Sequence, residues 1–286
     1  MDKKAFIQYV FSLLLFGLNG IVASHIALNS YEIVFFRTLI GSAFLLVLFL
    51  IGKGKFHIKE YKKDTLFIAL SGIAMGASWM FLYEAFIQIG VSLSTLLYCC
   101  GPVIVMILSP IIFKEKLTLI KILGFIVVFV GIFLVNGTTV GKISLWGLFC
   151  AGMSAVLYFI MVTFNKQAKN IVGLENSVIQ LVVSFVTVSI FMLIKQGFSL
   201  IIPSNAWVWI LLLGIVHTGV GCYLYFSKLS KLPAQVVAVC SYIEPLSAVI
   251  FATIFLGETM SLLQIIGATC IIGGLALGEL VKIKKR

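Results

Sequence analysis

Two acids in this chain fall within long apolar runs, Glu84 and Glu244. Glu244 is the sharper candidate for chemistry, because it stands near the middle of the run 233–256 while Glu84 stands near the end of its own. A carboxylate at bilayer depth costs about 2.5–3.5 kcal/mol on insertion scales and therefore faces a cavity or a partner. Pro245 follows at once. Proline has no N–H, and its ring clashes with the carbonyl four residues back, here that of Ser241. The pair predicts a kinked helix with a freed carbonyl beside a buried acid. Such an acid could hold a substrate ammonium or exchange a proton; the competing explanation is a structural acid hydrogen-bonded at the kink. His217 sits mid-run and offers a proton relay, or else a hydrogen-bonded core imidazole. Arg37 lies one turn inside the second run, where topology and packing explain it about as well as substrate recognition does. Asn19, two residues after Gly17, places an amide deep in the first run. Trp79, Tyr83, Tyr98, Tyr158 and Tyr242 complete the candidate binding residues, since small-molecule pockets are mostly apolar with a few convergent polar groups. Each of these rings is also ordinary helix-packing material.

The elements that position these residues follow from composition. Of 286 residues, 61% are hydrophobic and 11% charged, and the mean hydropathy is +1.17. A soluble domain carries about 25% charged residues, so this is an integral membrane chain with no room for a large water-soluble domain. Ten runs are long enough to cross the membrane or nearly so, a full crossing taking roughly 20 residues for a core of about 30 Å. They are 5–24, 33–51, 65–89, 92–113, 119–135, 145–164, 177–194, 206–226, 233–256 and 262–281. Only helices and closed barrels satisfy their backbone in lipid, and the runs lack the alternation of barrel strands. The expected fold class is an all-α membrane protein of ten transmembrane helices. The first run continues as a full span, without the small-residue cleavage site of a signal peptide.

Charge gives orientation. With the N-terminus placed in the cytoplasm, Lys142 and Lys195 fall outside, Arg37 falls within a span, and the remaining lysines and arginines fall inside. Both termini are then cytoplasmic. The net charge of +11 is explained by these flanking lysines rather than by a nucleic-acid partner. The six cysteines lie within apolar runs without CxxC spacing, so neither a disulfide framework nor a zinc site is expected. Asn136-Gly137-Thr138 matches a glycosylation acceptor, which chance explains well enough.

An internal repeat organises the whole. Pro102 and Pro245, Glu115 and Glu258, Gly124 and Gly267, and Gly131 and Gly274 are each separated by 143 positions, without a gap. The register extends back to Glu32 and Glu175. Two units of about 143 residues follow, 1–137 and 145–286, joined by a short connection. Five spans per unit is an odd number, so the second unit must be inverted relative to the first. Inverted repeats with a site at their interface are a feature of transporters. The glycine pairs, each seven apart on one helical face, suit close helix packing. Thr118 and Ser261 stand where they could cap the fifth and tenth helices.

These features resemble the EamA family of the drug/metabolite transporter superfamily. The resemblance is carried by Arg37, by Pro102…Glu115-Lys-Leu-Thr…Gly124…Gly131, and by the repeat Tyr242-Ile-Glu-Pro245…Leu-Gly-Glu258…Gly267…Gly274. It implies two inverted five-helix repeats around a central cavity lined by helices one, three, four, six, eight and nine. It also implies export or exchange of small metabolites such as amino acids. The partners expected are therefore a small-molecule metabolite and the lipid bilayer, with a proton as one candidate driving ion. Gly101 stands where the second unit has Glu244, which argues against a symmetric two-acid mechanism.

Other classes fit less well. A membrane-embedded enzyme acting on lipids or peptides would need clustered His, Asp or Glu, or a nucleophile with its base. A channel would need charge rings or a filter. There is no GxxxxGK[ST] motif, so ATP hydrolysis by this chain is not expected, and no cofactor is implied.

Overall fold

A computed structural model of the chain describes residues 2–136, 144–195, 197, 206–257 and 261–280. Among these residues every regular element is helical. Eight helical segments are long and apolar enough to cross a membrane, and two shorter apolar helices complete a set of ten. We number them α1 to α10. The unbroken ones are α2 (Ser30–Ile51), α3 (Lys62–Ile89), α5 (Leu119–Asn136), α6 (Leu145–Gln167), α7 (Gly173–Lys195) and α10 (Leu262–Leu280). The other four are interrupted. Helix α1 is Lys3–Gly17 and Asn19–Ser24; α4 is Val91–Tyr98 and Cys100–Ile112; α9 is Ala234–Cys240 and Ile243–Leu256. Helix α8 runs through Trp207–Leu211 and Gly221–Phe226 with a π-helical stretch, Leu212–Val220, between them. The ten spans expected from hydropathy are all present, with ends moved by at most a few residues. The movement is outward at polar caps that hydropathy does not see. Asp2 accepts the N–H groups of Lys4 and Ala5, and Asn29 with Glu32 forms a reciprocal capping box.

The 143-residue register is visible in the packing. Helices α5 and α10 lie against each other, as do α4 and α9, and α2 and α7. The remaining large contacts come in matched pairs: α3 on α7 with α8 on α2, α3 on α6 with α8 on α1, and α4 on α6 with α9 on α1. The α5–α10 seam shows the relation at atomic detail. A methyl group on Gly131 would lie 2.6 Å from the Gly267 carbonyl oxygen, and one on Gly274 would lie 2.5 Å from the Gly124 carbonyl oxygen. These two contacts exchange under the offset, as a self-complementary two-fold contact must. Absent side chains let the two backbones touch, which is how membrane helices gain dispersion energy without a hydrophobic drive between them.

The prolines obey the same register. Pro102 is the third residue of the second half of α4, and Pro245 is the third residue of the second half of α9. The breaks before them fall at Cys99 and at Ser241–Tyr242. The expected orphan carbonyl is not orphaned, however. Ser241 O accepts the Glu244 N–H at 3.3 Å, a tighter turn that replaces the bond proline cannot donate. The Tyr242 hydroxyl donates to Cys99 O at 3.0 Å, so the two breaks are tied directly together.

Acids close the loops at the lysine-rich end. Glu115 accepts the N–H groups of Ala234 at 2.6 Å and Gln235 at 3.1 Å, capping α9. Asp64 accepts those of Lys169 and Asn170. Ser261 and Gln264 cap α10 reciprocally, as expected. Thr118 does not cap α5: its hydroxyl is buried without a hydrogen-bond partner among the described residues. Glu258, Lys142, the acceptor sequence beyond Asn136, the connection between the units and the C-terminal lysines lie outside the described residues.

Candidate functional site

The interrupted helices surround a cavity of about 290 Å³. Its walls come from α1, α3, α4, α6, α8 and α9, with Arg37 added from α2. Both five-helix sets therefore contribute. Three of the walls are broken along the cavity, at Leu18 in α1, Cys99 in α4 and Ser241–Tyr242 in α9. Irregular backbone at membrane depth is tolerated where it lines a cavity, and half-helix ends are the usual makers of transporter sites.

Seven of the eight candidate residues line this one space: Asn19, Trp79, Tyr83, Tyr98, Tyr158, Tyr242 and Glu244. His217 does not. It is buried in the π segment of α8, and its Nδ1 lies 2.8 Å from Leu15 O, a carbonyl at the break in α1 that also accepts the Leu18 N–H. It ties α8 to α1 behind the wall.

Arg37 and Glu244 are the charged residues among the lining side chains. Arg37 is 5% exposed. Its Nε donates to the Thr218 hydroxyl at 3.0 Å, and its guanidinium lies 4.6 Å from the centre of the Trp79 ring. Thr218 belongs to the π segment, so the widened turn of α8 serves to hold the arginine. Glu32, the carboxylate nearest to Arg37 in sequence, is instead used in the α2 cap. The carboxylate of Glu244 has no hydrogen-bond or ion-pair partner among the described residues, whereas Glu84 is fully engaged. Glu84 accepts from the Tyr31 hydroxyl, from Trp146 Nε1 at 3.1 Å and from Gln88 Nε2 at 3.2 Å, and pairs with Lys195 at 3.2 Å. That knot joins α3 to α2, α6 and α7 at the lysine-poor end.

The two ends of the cavity differ. Toward the lysine-poor end the lining reaches Gly20, Phe86 and Val91. Toward the lysine-rich end it stops at a layer of hydroxyls. Tyr9 donates to Val237 O and meets Ser241 Oγ, both at 3.1 Å; Tyr158 meets Ser241 Oγ at 2.5 Å and the Tyr225 hydroxyl at 3.4 Å. Below this floor the start of α9 is held by Glu115, by Lys121 Nζ on Gln235 Oε1 at 2.5 Å, and by Lys166 Nζ on Leu232 O. Sequence reasoning did not single out Tyr9, Ser241 as a floor residue, or Thr218. No local signal marks Tyr9, Thr218 or the floor role of the Ser241 hydroxyl, because each acquires a partner from a distant helix. Arg37 did carry a signal, a charge inside a span, but nothing in the sequence said which way it faced.

A family model, the EamA-like transporter family, matches the chain twice, over residues 3–137 and 145–278. The chain belongs to the EamA-like transporter family. It is a multi-pass membrane protein of a transporter family, not of an enzyme family. It is similar to an uncharacterized transporter, YxxF, of Bacillus subtilis, with 27% identity covering 96% of this chain and 89% of that one. An uncharacterized transporter of Clostridium kluyveri is 26% identical over 95% and 92% of the two chains. A solved crystal structure superposes with a TM-score of 0.82 at 16% identity, covering 97% of this chain and 98% of the other, which shows the shared fold.

Proposed function

We propose that this EamA-family protein is a secondary transporter that exports or exchanges small polar metabolites, amino acids among them, across the cytoplasmic membrane by alternating access. One observation carries the reading. The cavity between the two five-helix sets holds a carboxylate, Glu244, with no protein partner among the described residues, and the equivalent position in the other set is Gly101. An unpaired acid at that depth is costly and has no counterpart in the shared architecture, so its charge belongs to the cargo or to a coupled proton. The units 1–137 and 145–286 are the two moving bodies, the second inverted relative to the first. The hydroxyl floor is the closed gate of one end state, and the lysine-rich side is the cytoplasm. Asn19, Trp79, Tyr83, Tyr98, Tyr158 and Tyr242 form the substrate wall. His217 acts behind the wall, holding α1 against α8.

The test is uptake into proteoliposomes over a panel of amino acids and other metabolites, with and without a pH gradient, for wild type and Glu244→Gln. The variant keeps shape and most hydrogen bonding. Transport is expected to fall by about tenfold or more, equivalent to about 1.4 kcal/mol, or to lose its response to the gradient. Wild-type rates with an unchanged pH response would make the acid structural. For orientation, in a background free of native thiols, Ala27→Cys is expected to react from outside the cell and Lys59→Cys is not. The reverse pattern overturns the topology.

A further inference from the structure

Arg37 presents a problem that the packing does not solve. It is a cation buried at membrane depth, and it meets no carboxylate within ion-pair distance among the described residues. Its Nε is spent on Thr218 and one face of its guanidinium on Trp79. Those two contacts fix the plane of the group. They leave the two terminal nitrogens without a hydrogen-bond partner among the described residues, on a side chain that lines the cavity. Two parallel N–H donors in a fixed plane are the fork that matches a carboxylate. Glu244 lines the same cavity from α9 and offers the opposite charge.

We infer that Arg37 anchors the anionic group of the substrate, so that the cavity takes a carboxylate-bearing zwitterion, carboxylate at Arg37 and ammonium at Glu244. The assignment rests on the transport reading above and deepens it. It adds a residue and a selection rule. A molecule with one charge satisfies one pole and leaves the other buried and unpaired, which a site built from fixed polar groups penalises heavily. A neutral or purely cationic metabolite is thereby excluded, although Glu244 alone would accept the cation. The zwitterion brings both partners and adds no net charge to the cavity. The aromatic wall, Trp79 and Tyr98 included, leaves space for an apolar side chain.

The experiment offers proteoliposomes an equimolar mixture of radiolabelled amino acids, then their methyl esters, which lack the carboxylate, and their N-acetyl derivatives, which lack the ammonium. Binding to wild type is followed in parallel by quenching of tryptophan fluorescence, which needs no variant. Free acids are expected to bind and move at least about tenfold better than either derivative. In Arg37→Gln the KM for the free acid rises and the discrimination against the ester disappears, while Arg37→Lys recovers part of it. Elution as a single species and thermal unfolding establish that each variant is folded. Esters bound and moved as well as free acids by wild type overturn the role of Arg37 and leave the transport reading standing. Wild-type transport of the free acid by the double variant Arg37→Gln/Glu244→Gln also overturns it, since the two charges would then only balance each other. If wild type moves and binds none of these compounds, the transport reading for amino acids fails and this inference fails with it.

Discussion

In α4 the residue before the proline is Gly101, and in α9 it is Glu244. Both helices break one level earlier, at Cys99 and Ser241–Tyr242, and both carry their proline at the third position of the second half. Yet a methyl group on Gly101 would lie 2.8 Å from the Tyr158 ring and 2.9 Å from Ala155 O, so that position is filled by packing. The Glu244 side chain looks into the cavity. Backbone shape is shared because each half must present the same surfaces to the other. The chemistry is one-sided because a substrate with two different ends needs different groups around it. The α5–α10 seam makes the contrast sharper: there the glycine contacts exchange under the register, and among the described residues none from either helix lines the cavity.

The hardest blow to this comparison is to give α4 the residue of α9. Gly101→Glu puts a side chain into Tyr158 and a second acid at depth. Overpacking of about 1–3 kcal/mol adds to about 2.5–3.5 kcal/mol for the charge, so folded yield from membranes should collapse. A well-folded, active Gly101→Glu would show that the two positions are interchangeable. Next come Gly131→Val and Gly274→Val at the seam. Each should destabilise by about 1–3 kcal/mol in thermal unfolding, and the two losses should be similar. A large effect from one and none from the other would break the two-fold relation. Tyr242→Phe removes the hydroxyl that ties the two breaks together through Cys99 O. Its loss should be about 0.5–1.5 kcal/mol, read as unfolding in detergent, with a smaller change expected for Tyr61→Phe, whose ring is only half-buried.

The smallest effect concerns another pair of equivalent acids, Glu32 and Glu175. Glu32 serves a helix cap, whereas Glu175 accepts the His57 N–H at 2.6 Å and meets its Nδ1 at 3.0 Å. This hydrogen bond, with the charge of Glu175, raises the His57 pKa above its ordinary 6.5. A group raised on folding contributes its full stabilisation below the unfolded value and loses it as pH rises through the folded one. The loop carrying His57 should therefore be more resistant to limited proteolysis below pH 6.5 than above it. In Glu175→Gln the difference should vanish; persistence there would assign it to other groups.

The sequence alone determined a great deal here, and the reasons are physical. Lipid excludes unpaired backbone, so apolar length sufficed to count ten helices, and lysine placement gave the topology to be tested. Equal shapes leave equal residues, so Pro102 with Pro245 and Gly131 with Gly274 exposed the two-fold plan before any contact was known. The cost of a charge in hydrocarbon singled out Glu244, and the same argument flagged Arg37 without deciding its role. What only the tertiary structure decided were the directions in which side chains face. Seven candidates from five helices meet in one cavity, while His217, equally polar and equally deep, turns to Leu15 O behind the wall. Thr118, in a plausible capping place, caps nothing. The freed carbonyl of Ser241 was claimed by Glu244 N–H, one residue nearer than a helix would allow. Tyr9 and Thr218 had no signature, because their partners are far away in sequence and hydrogen bonds between helices leave no local pattern; Ser241 was marked by Pro245, but not the role of its hydroxyl in the floor.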